Sequence, residues 1–146
     1  MIISGFPGVG KTTLFNKAGE LRILDSDSSN FSWSDKGVRN PNWPQNYIDH
    51  IKDQRDTADV ILVSSHDVIR KALAESGIPF TLVYPLLEMK DEHIQRYKNR
   101  ESDEQLVTLL EKNYEKWIPE LMDQEGCKHV VLQSGEYLAD VIEDLV

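Results

Sequence analysis

Residues 1–13 read MIISGFPGVGKTT, a short apolar run followed by Gly5, Gly8 and Gly10, then Lys11, Thr12 and Thr13. MIIS has the continuous apolar character of a buried strand, and KTTLFNKAG, stopped by Gly19, reads as a helix. Gly5, Gly10, Lys11 and Thr12 together satisfy G-x-x-x-x-G-K-[ST] between that strand and that helix. The chemistry of the pattern is specific. Glycines let the backbone turn with positive φ and come close to a ligand, so that successive N–H groups converge on phosphate oxygens. The helix start adds unpaired N–H groups and a positive dipole end. At average glycine usage, two fixed glycines with a lysine and a hydroxyl match by chance at on the order of one start site in 10⁴ or fewer.

Outward from this stretch, apolar runs alternate with helical periods. LRILD is a second candidate strand, ADVILVSS a third and the strongest, PFTLVYP a fourth and HVVLQ a fifth. Helices are expected from about Pro44 through QNYIDHIKDQR, in DVIRKALAESG up to Gly77, in LEMKDEHIQRYKNR, in SDEQLVTLLEKNYEKWIPELMDQ and in SGEYLADVIEDLV. SDSSNFSWSDKGVRNPNWP, rich in turn formers, is expected to be loop. Strands separated by helices need crossover connections, which implies an α/β fold with a parallel sheet covered on both sides in three layers.

A chain of 146 residues has the size of one domain, and no linker or repeat marks a second. No apolar stretch approaches the ~20 residues of a membrane span, and the N-terminus carries no basic and apolar leader, so a cytoplasmic location is expected. The single cysteine, Cys127, cannot bridge within the chain and suits a reducing compartment. The formal net charge of −9 repels phosphate backbones, which favours small substrates over long nucleic acid.

With GFPGVGKTT at the N-terminus, an aspartate pair after the second strand, five strands and an arginine-bearing helix after the fourth, the chain resembles the small P-loop kinases of nucleosides, nucleotides and metabolites, a group that includes nucleoside monophosphate, shikimate and gluconate kinases. The resemblance implies a P-loop NTPase fold with strand order 2-3-1-4-5, an acceptor-binding insert at about 28–57 and a mobile lid at about 88–103. It also implies ATP and Mg²⁺ as cofactors. ATP would lie on Gly5, Pro7, Gly8, Val9, Gly10, Lys11, Thr12 and Thr13, with Lys11 reaching the β- and γ-phosphates and Thr12 ligating Mg²⁺.

Asp25 and Asp27 lie two apart in ILDSDSS, so both carboxylates are expected on the same side of the sheet at its carboxyl end, where ligands of such sheets bind. In the kinases it resembles, one carboxylate supports Mg²⁺ through water and the other holds the acceptor hydroxyl. Those roles fall here on Asp25 and Asp27 respectively. Both would stand beside the substrate. Solvated turn aspartates would look the same. Arg96 and Arg100 share a helix face and would stabilise the transferred phosphate from the lid, although the same segment also reads as a solvated charged helix. Arg39 and Trp43, in the insert, are candidates to hold an acceptor phosphate and base; the aromatic residues there equally suit pegs into the core. Ser134 and Gly135 fall where such kinases pass the adenine ring, while Ser134 also fits a helix N-cap.

Many P-loop proteins carry an aspartate at the end of the third strand, where this chain has Ser64, Ser65 and His66 before Asp67. That departure argues against a motor or large ATPase. The expected activity is transfer of the γ-phosphate of ATP to a nucleoside, nucleotide or similar small acceptor. A kinase acting on a hydroxyl or modified base of DNA or RNA, and a non-catalytic ATP-dependent regulatory module, are the alternatives.

Overall fold

A computed structural model describes residues 1–6, 9–10, 14, 22–25, 33–35, 38–99 and 104–145. The strands follow the apolar runs. They are β1 (Ile2–Gly5), β2 (Ile23–Asp25), β5 (Val60–Ser64), β6 (Thr81–Pro85) and β7 (Lys128–Leu132), joined in one all-parallel sheet in the order β2-β5-β1-β6-β7. Counted along the chain, these five strands lie in the order 2-3-1-4-5. The fold is therefore α/β, with β1 in the centre of the sheet.

Burial explains which strand goes where. β1 and β6 are buried at every position, and β5 at all but Ser64, whereas Lys128 and His129 of β7 are exposed, as an edge strand allows. Side chains alternate across the sheet: Ile2, Ile61 and Val63 enter one apolar cluster, and Ile3, Val60 and Leu62 enter the other. Each such side chain, taken out of water, contributes about 1.5–3 kcal/mol.

The helices supply the crossovers. α1 (Gln45–Gln54) and α2 (Asp67–Glu75) pack Tyr47, Ile48, Ile51, Ile69 and Leu73 into the first cluster. Leu14 and two residues of α5 (Leu138–Leu145), Leu138 and Ile142, enter the second, so that apolar side chains close both faces of the sheet. That cluster also takes in Leu110, Tyr114, Ile118 and Leu121 of α4 (Glu104–Met122) and Ile94 and Tyr97 of α3 (Lys90–Asn99), which a short 3₁₀ turn, Leu87–Met89, introduces. α4 runs on through Pro119; the helical N–H lost there is offset by the burial of Ile118 and Leu121 on either side of it.

Two differences from the sequence expectations stand out. The segment expected to be loop contains a two-stranded antiparallel ribbon, β3 (Trp33–Asp35) with β4 (Val38–Arg39), in which the backbone of Trp33 pairs with that of Arg39. Only Lys36 and Gly37 separate the two strands, and a glycine in a two-residue connection is a hairpin signal. The last helix begins at Leu138, later than a cap at Ser134 would have it. Asp140 Oδ2 accepts the Tyr137 backbone N–H at 2.7 Å, which moves the cap to Tyr137 and leaves 133–136 as a turn.

Candidate active site at the carboxyl end of the sheet

β1 ends at Gly5, which pairs in register with Ser64 of β5 and Val83 of β6. The chain leaves the sheet through Phe6, whose N–H still donates to Val83 O at 2.9 Å and whose ring is buried against Tyr114 and His93. Val9 then drops its side chain into the core, fully buried, and its carbonyl accepts the Leu138 N–H at 2.8 Å. Gly10 follows with φ of +98°, left-handed backbone that a side chain resists. A Cβ there would also stand 3.3 Å from Tyr137 Cδ1. The Leu14 N–H donates to Gly10 O at 2.9 Å, a helical bond, and Leu14 is buried. The described residues thus run from a central strand through a positive-φ glycine into a helical turn.

Tyr137 connects this loop to the helix after β6. One edge of its ring meets Gly10, and Arg96 Cζ lies 4.0 Å from the ring centroid. Arg96 is not a solvated arginine. Its side chain is 10% exposed; Nη2 donates to Glu136 O at 3.1 Å and sits 4.0 Å from Glu92 Oε1. Its Nη1 is buried with no hydrogen-bond partner among the described residues. Glu92 Oε1 meanwhile accepts from Ser134 Oγ at 3.2 Å and from the Gly135 N–H at 3.0 Å. Gly135 has φ of +77° with no atom within 4 Å of where a Cβ would be, so its outer side is open. The structure therefore brings Gly10, Arg96, Ser134 and Gly135 into one group, joined by residues that sequence reasoning passed over: Glu92, Glu136 and Tyr137. The Glu92–Arg96 spacing of four was a signal for that pairing; nothing local pointed to Tyr137.

Other candidates fall elsewhere. Trp43 is half-buried, packs edge-on to Tyr47 at 5.8 Å and joins the first apolar cluster, the behaviour of a peg. Asp25 closes β2 opposite Leu62, at the same end of the sheet as Gly5, and Arg39 lies on the β3–β4 ribbon; both are described in their backbone alone. Pro7, Gly8, Lys11, Thr12, Thr13, Asp27 and Arg100 lie outside the described residues. Below the site, burial raises the Tyr114 hydroxyl well above its ordinary range, with the charge of Arg96 opposing and that of Glu92 assisting; the hydroxyl donates to Leu86 O at 2.7 Å.

Set against known proteins, the chain matches no family model and no curated protein sequence. Among the described residues no helix is long and apolar enough to cross a membrane.

A triphosphate suits the described part of the site. Gly10 turns with positive φ at the carboxyl end of the central strand, its Cβ side closed by Tyr137, and Arg96 Nη1 is a buried cationic donor with no hydrogen-bond partner among the described residues one ring away. Among the described residues no three His, Cys, Asp or Glu side chains gather to hold a metal. A phosphate-bound Mg²⁺ requires only one or two protein ligands, because substrate oxygens and waters complete its shell.

Proposed function

We propose that the chain is a P-loop phosphotransferase, which binds MgATP on residues 5–13 and passes its γ-phosphate to a small acceptor, a nucleoside or nucleotide. The observation that carries this reading is the course of the backbone from the central strand through Gly10 into a helical bond at Leu14, over a sequence that spells G-x-x-x-x-G-K-T. The strand order supports it, since ligands of open parallel sheets bind outside the carboxyl ends of the strands.

Bound there, ATP supplies the phosphoryl group and Mg²⁺ spreads its charge. The chain's own work is positioning. Loop amides and Lys11 hold phosphate oxygens, Thr12 and Asp25 support the metal, and Asp27 accepts the proton of the acceptor hydroxyl. Arg96 faces the loop across Tyr137 and has a donor to spare; Arg100 is assigned the same role from the lid. Gly135 offers open backbone for a flat ring.

Incubation with labelled ATP and a panel of nucleosides, nucleoside monophosphates, sugars and sugar acids tests the proposal. Acceptor-dependent ADP release is expected, abolished by Lys11→Ala and lowered about 10²-fold or more by Asp27→Asn with ATP affinity retained. ADP release that no acceptor stimulates removes the reading.

A further inference from the structure

Cys127, the chain's single cysteine, stands just before β7, and His129 follows two residues later, a spacing that puts both side chains on one face of the strand. The strand is an edge of the sheet. Cys127 is half-buried and packs against both apolar clusters, which fixes it, whereas His129 is exposed. Cys127 Sγ lies 3.6 Å from His129 Nε2. A tetrahedral Zn²⁺ that holds a thiolate at about 2.3 Å and an imidazole nitrogen at about 2.0 Å sets the two donors about 3.5 Å apart. The pair already stands at that separation.

The ring of His129 is held from both sides. Gln124 O can only accept, so in the neutral ring Nε2 donates to it at 2.8 Å and Nδ1 accepts from the Tyr84 hydroxyl at 2.9 Å. Tyr84 is buried on β6 and meets the ring edge-on, with centroids 5.7 Å apart. Its hydroxyl can accept as well as donate. With the ring proton moved to Nδ1, Tyr84 receives it and Nε2 offers a lone pair beside the thiol. Metal-binding imidazoles are oriented in this way, by a partner on the far nitrogen. Gln124 O also faces the sulfur, at 3.9 Å. A shift of about half an ångström away from Nε2 would make this carbonyl a third ligand.

The geometry points to a metal site at the amino end of β7, in which the Cys127 thiolate and His129 Nε2 bind a borderline divalent cation of the zinc class, with Gln124 O and water completing the shell. Binding releases the thiol proton to solvent and shifts the ring proton from Nε2 to Nδ1. Thiolate and imidazole select such a cation over Mg²⁺, which prefers oxygen, so this is not the metal that ATP brings. The site lies at the opposite end of the sheet from Gly5 and stands or falls independently of the phosphotransferase reading. A metal there ties the connection after α4 to β7 and, through Tyr84, to β6.

Titration of the full chain, reduced and free of nucleotide, with Co²⁺ and then Zn²⁺ tests it. One equivalent of Co²⁺ is expected to produce a thiolate-to-cobalt charge-transfer band in the near ultraviolet, which Zn²⁺ bleaches, and Zn²⁺ should raise Tm. With one cysteine in the chain, the band can come only from Cys127. Cys127→Ser should abolish it, and His129→Gln, at an exposed position, should weaken both ions about tenfold or more. Absence of the band, or a folded His129→Gln that binds both ions as tightly as the wild type, overturns the site. Uptake of metal without the band is binding to surface carboxylates, which the net charge of −9 invites, and overturns it equally. The band is read on the unsubstituted protein, so its absence decides whether or not the variants fold.

Discussion

Arg96 and Arg70 follow the two strands that flank β1, are both largely buried, and are neutralised in opposite ways. Arg96 has the Tyr137 ring beneath it, the Glu136 carbonyl on one nitrogen and the Glu92 carboxylate at 4.0 Å. Arg70 has a carbonyl and an amide, and no carboxylate in contact among the described residues. Packing therefore gives Arg96 a ring and a carboxylate with Nη1 left over, and gives Arg70 two neutral acceptors and no counter-charge within 4.0 Å among the described residues. A buried charge with a ring and a carboxylate beside it recovers more of its desolvation cost than one held by neutral acceptors alone.

The largest effect is expected where the compensation is richest. Arg96→Met should destabilise the protein by about 2–3 kcal/mol, because it removes a desolvated cation–π contact and a charge-assisted hydrogen bond together; urea unfolding measures it. An undisturbed midpoint would show that the clasp contributes nothing, and the contrast with Arg70 would vanish. Gly10→Ala comes next, at about 1–2 kcal/mol for left-handed backbone, plus the displacement of Tyr137. In the background of Tyr137→Ala the steric part should disappear while the backbone part persists, so a double-mutant cycle separates the two.

Tyr114→Phe should cost about 1 kcal/mol for the lost bond to Leu86 O. It also carries a pH signature. Burial keeps the Tyr114 hydroxyl protonated in the fold above the pH near 10 at which an unfolded tyrosine ionises, so its contribution is complete below about pH 10 and is lost as pH rises from there toward the folded value. Thermal melts between pH 9 and 11.5 should show the variant losing less stability than the wild type on a roughly pH 9.5–11.5 ramp. Tyr84 and Cys127 are also raised, chiefly by burial, and leave a residual alkaline loss in both proteins, that of Cys127 starting lowest, from about pH 8.5. Last in the comparison, Arg70→Met should cost less than Arg96→Met in the same unfolding assay, since relief of a desolvated charge offsets part of the loss of its bonds to Ser65 O and Gln124 Oε1. A loss as large as that of Arg96→Met would mean that the two arginines do the same structural work.

The strands were legible because continuous apolar runs are what both-face burial demands, and the described β1, β2, β5, β6 and β7 fall on those runs. The β3–β4 ribbon was not, since WSD and VR are too short and too polar to show a period. The helix after the fourth sheet strand was anticipated, but the fate of Arg96 was not: its i,i+4 carboxylate could be seen in the sequence, whereas the ring that stacks on it arrives from 41 positions along the chain. Arg70 was not legible as anything but a helix residue, because α2 reads as an ordinary amphipathic helix and nothing local says that Gln124 will meet its guanidinium.

By itself the sequence determined the α/β class and the glycine loop at the end of the first strand, because periodicity and φ preferences act within a few residues of where they are written. The strand order agrees with what the resemblance implied, though the registry that puts Gly5 between Ser64 and Val83 belongs to the folded sheet. Only the tertiary structure decided what stands beside each buried charge. That depends on what the crossovers bring together: Tyr137 over Gly10, Glu92 under Ser134 and Gly135, and Gln124 on Arg70, contacts between residues 42 or more apart in the chain that no local preference encodes.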